Sequence, residues 1–392
     1  MESDLPVIDL EKEYPIKRID IHEIADVEYI PLETIDESIL MFGTDKSVSD
    51  EYIIVSEFSY EYKILIFTRN GKYVSTIDRQ GQGPGEYINF VSFEVDFEKK
   101  ELFVRTATVA PKILVYTLDG KYLREFQLPS RNETHYFEFE NLYNYDSNYL
   151  ITYNDMYWPS PKDKYYREPD KTPYYLINKK DGSIKPIDER LTIDTPIKSI
   201  FGMGMGATGH YNIRQGYKIS HLVMNGPSEA LIVENSLDTI YSYKNHVLEP
   251  VAIRTPETAS MNPRCFIDPC VLTDKYFIYR RVEMIRDEEK EQKELVAYDN
   301  RRSPIYIMYW ETGEIFRLEL YDSNLGIKMP LYASLGNGLF FSSTKKNQAG
   351  AHYNTTFLFD NLEKNTYKGK LKEVVSNMVE DDNLVAVIYK FK

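Results

Sequence analysis

Short apolar runs separated by turn residues recur along this chain, and one such unit is almost repeated. The segment KILIFTRNGKY at 63–73 returns as KILVYTLDGKY at 112–122, so the period is 112 − 63 = 49 residues. Each copy holds β-branched and aromatic residues, then Asn-Gly or Asp-Gly, then the start of a second such run. This order predicts a β-hairpin with a type I′ turn. Repetition at this period predicts a propeller or a solenoid.

Four degraded copies of the unit follow, with turn markers at Gly182, His246, Gly313 and Asn365. In the sixth unit we expect 339–341 to pair with 356–359. From Gly71 and Gly120 onward the markers are separated by 49, 62, 64, 67 and 52 residues. A solenoid would need shorter and more uniform repeats. The pattern therefore predicts an all-β, six-bladed β-propeller of four-stranded antiparallel blades.

The predicted propeller is a single domain over 1–392, closed by strands from both termini. Strand 27–32 precedes the first unit without a partner, and strand 383–391 ends the chain in the same way. Leu371, Val374, Val375 and Met378 recur at helical spacing, so one short C-terminal helix is expected. The approximate blades are 38–79, 88–128, 136–190, 214–254, 265–321 and 330–370.

The strand order within a blade also predicts where a site would lie. In an antiparallel blade A-B-C-D, the A–B and C–D turns share one face, the tight-turn face, and the B–C and D–A connections share the other, the long-loop face. The long segments of this chain fall on the long-loop face, at 79–89, 154–172, 192–214, 254–264, 282–303 and 343–355. Because binding residues concentrate on long loops held by a rigid scaffold, we expect any site there.

Three segments of that face supply the candidate ligand-binding residues. The glycine-rich run RQGQGPGEY at 79–87 either exposes backbone N–H groups to an anion or simply crosses between blades. The run FGMGMGATGH at 201–210 is either a lid or a flexible loop. Aromatic residues near 157–166 would stack on a sugar or pin their own loop. The candidates are Arg79, Glu86, Tyr157, Trp158, Arg167, His210, Arg214 and Arg264.

Signs of catalysis are few. His135, His210 and His352 are assigned to connections of the long-loop face and are the candidate catalytic residues, but no histidines have metal-ligand spacing. We expect no metal and no cofactor. Cys265 and Cys270 fit neither a zinc site nor a disulfide framework, so two free thiols are expected.

Composition narrows the class of partner. The 392 residues include 33 Tyr and carry a net charge of −14, which opposes binding to nucleic acid. No apolar stretch approaches the ~20 residues that cross a bilayer, and no secretion signal begins the chain. We expect a monomer that binds a glycan, a peptide or a protein.

Several motifs together resemble the six-bladed β-propeller proteins abundant in gut Bacteroides and their relatives. They are Ile8-Asp9-Leu10, the segments 25–34 and 79–87, Leu118-Asp119-Gly120-Lys121, Met261-Asn262-Pro263 and 380–383. The glycine-rich crossover is similar to that of NHL repeats. The resemblance implies an exported protein, often lipid-anchored, that acts in the periplasm or at the cell surface. It supplies no activity or catalytic residues.

Three functions follow as hypotheses. The leading one is a non-enzymatic binding module that uses the long-loop face. The alternative is a propeller enzyme, a lyase or hydrolase possibly acting on glycans, with histidine and arginine side chains at the mouth of a central channel. A structural partner of a surface complex would instead expose a broad apolar patch.

Overall fold

The computed structural model describes residues 5–40, 43–57, 62–107, 111–129, 135–137, 139–154, 168–197, 203–205, 211–213, 219–283, 303–326, 341–342, 346–360 and 364–392. These residues are mostly β, and the predicted fold class, a six-bladed β-propeller, is confirmed by six sheets that each contain four antiparallel strands. Contacts divide the chain into two compact units. The first unit is Met1–Ile19, Ile193–Val223 and Ala230–Leu320, and the second is Asp20–Thr192, Met224–Glu229 and Tyr321–Lys392.

The second unit contains blades 1, 2, 3 and 6. Blade 1 is β4 (Gly43–Val48), β5 (Tyr52–Glu57), β6 (Lys63–Thr68) and β7 (Tyr73–Asp78). Blade 2 is β8 (Phe90–Asp96), β9 (Glu101–Thr106), β10 (Lys112–Thr117) and β11 (Tyr122–Gln127). Blade 3 is β13 (Phe139–Asn144), β14 (Tyr149–Asn154), β16 (Tyr174–Asn178) and β17 (Ile184–Pro186). Blade 6 is β28 (Phe341–Ser342), β29 (Gln348–Tyr353), β30 (Val385–Phe391) and β3 (Ala25–Pro31).

Blades 4 and 5 belong mainly to the first unit, and each gains a fifth strand from the N-terminal segment. Blade 4 is β20 (Leu222–Met224), β21 (Glu229–Ile232), β22 (Thr239–Lys244) and β23 (Val247–Thr255), with β1 (Val7–Asp9) parallel to β23. Blade 5 is β24 (Cys265–Leu272), β25 (Tyr276–Glu283), β26 (Ile305–Tyr309) and β27 (Ile315–Tyr321), with β2 (Ile16–Asp20) beside β27. The added strands cover the outer edges of both sheets, which would otherwise expose unpaired backbone groups.

The remaining elements are short. Two-stranded ribbons join β12 (His135–Tyr136) to β15 (Glu168–Pro169) and β18 (Met203–Met205) to β19 (Tyr211–Ile213). The described helices are α1 (Ile21–Ile24), α2 (Thr355–Asp360) and α3 (Gly369–Ser376), with 3-10 turns at Asp36–Ser38, Thr258–Ser260, Ser323–Leu325 and Lys364–Thr366. Helix α3 is the predicted amphipathic helix, and it buries Leu371 and Val375.

The core explains why the repeated runs are continuously apolar. In β6, Ile64, Leu65, Ile66 and Phe67 all have 0% exposure, because both sheet faces of this strand are covered. Ile64 and Ile66 pack toward blade 2, whereas Leu65 and Phe67 pack toward blade 6. A strand buried on both faces has no polar side to alternate with.

The two copies of the hairpin end in the same turn, which is not the predicted type I′ turn. Gly71 and Gly120 have φ of +85° and +81°, but the preceding Asn70 and Asp119 do not have positive φ. A type I′ turn requires positive φ at both central residues. The bonds from Gly71 N to Thr68 O (2.9 Å) and from Thr68 N to Lys72 O (2.7 Å) instead define a longer loop with a bulged glycine. Among the hairpin turns that the structure describes, only the fourth has positive φ at both central residues, Asn245 and His246.

The A–B turns are closed by a side chain at the same place in several blades. Ser49 Oγ accepts from Tyr52 N (3.0 Å), and Thr273 Oγ1 accepts from Tyr276 N (3.0 Å). Asp146 Oδ1 accepts from Tyr149 N at 2.8 Å in blade 3. Short polar side chains that bond to the backbone favour such turns.

Blade 6 differs from the prediction for the sixth unit. The predicted strand 356–359 is helical, within α2, and Asn365 lies in a 3-10 turn. Asn354 Oδ1 accepts from Phe357 N at 2.6 Å and so begins the helix. The third and fourth strands of the blade are β30 and β3, paired from Ala25↔Phe391 to Pro31↔Val385. Strands from both termini therefore complete one blade together.

A buried carboxylate joins the elements around blade 6. Asp322 has 0% exposure and accepts from Tyr29 OH (2.6 Å), Tyr353 OH (2.9 Å) and Asn324 N (2.8 Å). His22 Nε2 lies 3.0 Å from Asp322 Oδ1. Burial raises the pKa of Tyr29 and of Tyr353 far above the ordinary range, so both stay neutral donors. The carboxylate is satisfied entirely by the protein.

The repeated glycines allow a matched test of the turn. An alanine Cβ at Gly71 would lie 2.2 Å from Pro31 O, whereas the nearest atom at Gly120 would be 3.6 Å away. Because both sites have positive φ, each substitution carries backbone strain, but only Gly71→Ala adds an overlap. We expect Gly120→Ala to lower the free energy of unfolding by about 1 kcal/mol and Gly71→Ala by about 3 kcal/mol. Equal midpoints of the two variants in urea would contradict this account.

The His22–Asp322 pair predicts a pH dependence. The hydrogen bond to Asp322 raises the pKa of His22, although burial opposes it. The stabilisation is therefore fully present below the unfolded-state pKa of about 6.5 and is lost as pH rises through the higher folded-state value. We expect His22→Gln to lower the free energy of unfolding by about 1 kcal/mol at pH 6 and to have little effect at pH 9. A constant difference between wild type and variant across urea titrations at both pH values would exclude the protonated pair.

Candidate functional site

Four ionisable side chains of the first unit meet at the long-loop ends of blades 4 and 5. His221 precedes β20 and Glu234 follows β21, whereas Asp268 and Arg280 are opposite partners on β24 and β25. Opposite residues of an antiparallel pair project to the same sheet face, so the two strands hold their side chains together. We call these four residues the His221 cluster.

Asp268 is the buried centre of the cluster. Its side chain is 3% exposed, and Arg280 donates to Asp268 Oδ2 from Nε (3.0 Å) and Nη2 (2.6 Å). Ser220 N donates to Asp268 Oδ1 at 2.9 Å. Burial raises the pKa of Asp268 to about 7, while the Ser220 N–H and the charge of His221 favour the ionised form. The Asp268 carboxyl is thus buried beside the Arg280 guanidinium.

Glu234 forms the second acidic position. His221 Nδ1 lies 3.4 Å from Glu234 Oε2, and Ser236 N donates to Glu234 Oε1 at 2.9 Å. Burial disfavours the charged carboxylate, but His221 and Ser236 outweigh it and hold the pKa of Glu234 below its usual range. Glu234 and Asp268 therefore differ in pKa although they flank the same histidine.

Asn235 fixes the connection that carries Glu234. Asn235 Oδ1 accepts from Ile267 N (2.9 Å) and from Arg254 Nη1 (2.9 Å), and Asn235 Nδ2 donates to Ile267 O (3.1 Å). Ile267 immediately precedes Asp268. These bonds attach the end of β21 to β24, so the two carboxylates are held by one rigid network.

Solvent reaches the cluster through its basic members. The side chains of His221 and Arg280 are 12% and 13% exposed, whereas that of Glu234 is 1% exposed. A ligand at this end would meet an imidazole and a guanidinium first, with the acids behind them. Such an arrangement can donate hydrogen bonds to an oxygen-rich ligand, and its pair of unlike carboxyls could exchange protons.

The described part of the chain contains no group of three or more His, Cys, Asp and Glu side chains arranged to hold a metal ion.

A protein-family model described as a domain of unknown function, DUF4934, matches residues 5–390. The chain belongs to the DUF4934 family. No curated protein matches this family member.

Two of the solved structures similar to this DUF4934 protein come from Bacteroides species. A protein of Bacteroides fragilis NCTC 9343 that is thought to be exported is 15% identical with a TM-score of 0.61, and 99% of each chain is covered. A protein of unknown function from Bacteroides thetaiotaomicron VPI-5482 is 9% identical with a TM-score of 0.41, covering 94% of this chain and 76% of that one. The first likeness supports the fold and the predicted resemblance to Bacteroides propellers. The likeness to NHL repeats stays a prediction.

Among the described helices, none has the length and apolar character needed to cross a membrane.

The glycine-rich crossover is filled by its own side chain. Glu86 Oε2 accepts from Gly83 N at 2.7 Å, and a Cβ at Gly81 would lie 2.0 Å from that same oxygen. Arg79 Nη2 donates to Gly120 O at 3.0 Å. These contacts fit a loop that crosses between two blades. The Glu86 carboxylate accepts the backbone N–H group that a bound anion would otherwise accept.

Three other candidates are among the described residues. His352 is on β29, paired with Ala386 of β30, so it belongs to a strand rather than to the predicted connection 343–355. The long B–C connection of blade 6 instead follows Tyr353 and contains α2 and α3. The backbone of His135 forms β12, and Arg264 is half-buried just before β24.

Tyr157, Trp158, Arg167, His210 and Arg214 lie outside the described residues.

Both thiols are free, as expected. Cys265 and Cys270 lie on the same extended strand, β24, where five residues span about 16 Å, far beyond the Cα separation of a disulfide. Burial raises the pKa of both thiols, which makes them poor nucleophiles.

The sequence carries a signal for the cluster in two of its buried strands. Asp268 interrupts the run CFIDPCVL, and Arg280 follows the apolar run YFIY. An isolated charge within a buried strand requires a partner, so an acid and a base on successive strands predict an ion pair.

The ion pair predicts strong coupling. Removing Arg280 alone (Arg280→Met) leaves a buried carboxylate without its cation and should lower the free energy of unfolding by about 3–5 kcal/mol. The double variant Asp268→Leu/Arg280→Met should be less destabilised than Arg280→Met, because the carboxylate that would be left without its cation is removed as well. Urea unfolding of single and double variants measures this coupling.

The matched control is Arg18→Met, which breaks the Arg18–Glu319 pair of the same unit, with side chains 58% and 32% exposed. It should cost at most about 1 kcal/mol. Additive effects of the Asp268 and Arg280 changes would contradict the coupling.

Proposed function

We propose that this DUF4934 protein is an extracytoplasmic binding protein whose ligand contacts the long-loop face of blades 4 and 5. The observation that carries the proposal is the His221 cluster, in which His221 and Arg280 keep a solvent-facing side above two buried carboxylates. A glycan, a peptide or an exposed protein segment presents the oxygen acceptors that these donors suit. The protein acts as a monomer in this proposal.

Rigidity supports binding at this position. The bonds of Asn235 and Arg254 and the bidentate Arg280–Asp268 contact fix the donors before a ligand arrives. A site organised in advance loses less conformational entropy on binding. By contrast, A–B turns on the tight-turn face are closed by their own side chains, such as Ser49 and Thr273.

Location outside the cytoplasm rests on likeness to the Bacteroides fragilis protein thought to be exported. At 15% identity this likeness supports a shared fold, whereas export of this chain is part of the proposal. Fractionation of cells that express the full-length protein tests it. Recovery in the cytoplasm would refute it.

Binding is tested by a thermal-shift screen against neutral and acidic oligosaccharides and short peptides, followed by calorimetry on compounds that raise the melting temperature. We expect Arg280→Lys to weaken binding about tenfold or more, because lysine cannot reproduce the planar, two-point contact of arginine. The control is Arg317→Lys on β27, whose side chain is exposed. Equal weakening by both variants, or by neither, would place the ligand elsewhere.

A second candidate function is catalysis at the same cluster. It is favoured by the unlike carboxyls, with the pKa of Asp268 raised to about 7 and that of Glu234 lowered. Acid–base catalysis needs two groups that differ in this way. Turnover of a bound glycan, detected by mass spectrometry and lost in Asp268→Asn, would select the enzyme. Binding without turnover would select the binding module.

A further inference from the structure

The first unit contains a groove between the N-terminal segment and the start of the last strand of blade 5. Its volume is about 460 Å³. The residues that matter for its chemistry are Val7, Asp9, Lys12, Tyr14, Glu314 and Phe316. Gly313, in the C–D turn, also borders it, so the groove is at the tight-turn end of blade 5, away from the His221 cluster.

The N-terminal wall of the groove is held in place by the fold. Strand β1 pairs in parallel with β23, from Val7↔Ile253 to Asp9↔Thr255. Tyr14 OH accepts from Asp9 N at 2.9 Å, and the Tyr14 ring meets Tyr306 edge-on with centroids 5.8 Å apart. Arg281 Nη1 donates to Leu10 O at 2.9 Å. The groove therefore exists before any ligand binds.

The charges of the groove select against charged ligands. Asp9 and Glu314 carry two negative charges, and Lys12 and Lys17 carry two positive charges in or beside the groove, so no net charge draws an ion into it. The aromatic rings already have cations beside them. Lys12 Nζ is 5.3 Å from the Tyr14 centroid, and Lys17 Nζ is 4.7 Å from the Phe316 centroid. A cationic ligand would compete with these lysines.

A neutral ligand with many hydroxyl groups fits what remains. The carboxylates accept hydrogen bonds from hydroxyls, and Lys12 donates one. Val7 and Phe316 offer apolar surface to the C–H face of a ring, the combination of an apolar wall and a few polar groups that characterises small-molecule sites. The volume is within the range of about 300–1,000 Å³ found for such sites.

We propose that this groove is a binding site for a neutral saccharide unit. It is a separate site from the long-loop face, and it does not depend on the function proposed there.

The test uses the full chain and five named probes. Saturation-transfer NMR and calorimetry are run with cellobiose, maltose and lactose, and with glucuronic acid and glucosamine as charged counterparts. We expect at least one neutral disaccharide to bind, and glucuronic acid and glucosamine to bind more weakly. Preference for either charged sugar, or no binding of the three disaccharides, would overturn the proposal.

Variants then place the site. Glu314→Gln and Lys12→Ala should each weaken binding of the disaccharide about tenfold, because each removes a charged hydrogen-bonding partner. Glu311→Gln is the matched control, since Glu311 is an exposed carboxylate near the same turn and does not line the groove. Circular dichroism confirms that the variants fold. Unchanged affinity in both groove variants, or a loss in Glu311→Gln of the same size, would refute the site.

Discussion

Pairing of the N-terminal strand β3 with the C-terminal strand β30 is the interaction on which the second unit depends. Seven residue pairs, from Ala25↔Phe391 to Pro31↔Val385, complete a blade whose other two strands come from 341–353. Without β3 and β30 that blade would retain β28 and β29 alone, and a two-stranded ribbon is at most marginally stable. Asp322 then ties the blade to its surroundings, because Tyr29 lies on β3 and Tyr353 ends β29.

In the first unit the N-terminal residues before β3 protect sheet edges. Strands β1 and β2 extend the sheets of blades 4 and 5 at their outer edges, which protects those edges from pairing with other chains. The N-terminal segment also forms part of a candidate ligand site, since β1 and Tyr14 form one wall of the groove beside Glu314. One short stretch thus supports both the stability of these blades and a candidate ligand site.

Prediction from sequence was accurate where the residues that decide a structure are neighbours in the chain, and less accurate where they are far apart. The hairpins at 63–73 and 112–122 were found because turn residues and apolar runs lie next to each other in the chain. The turn type was wrong, since Asn-Gly is compatible with both the type I′ turn and the bulged loop that Gly71 adopts. The prediction for the sixth unit was wrong because TTFLF at 355–359 is apolar enough for a strand or a helix. The strand that pairs with β29 is instead β30, in a distant segment of the chain.

The sequence alone determined that the chain is a six-bladed β-propeller, because periodicity and turn chemistry are local properties. Only the tertiary structure decided which side chains meet. Asp268 and Arg280 are 12 residues apart, but Glu234 and His221 join them from another blade, and Asp9 and Glu314 line one groove although they are far apart in the chain. These contacts depend on strand register and sheet packing, which cannot be read from a single sequence.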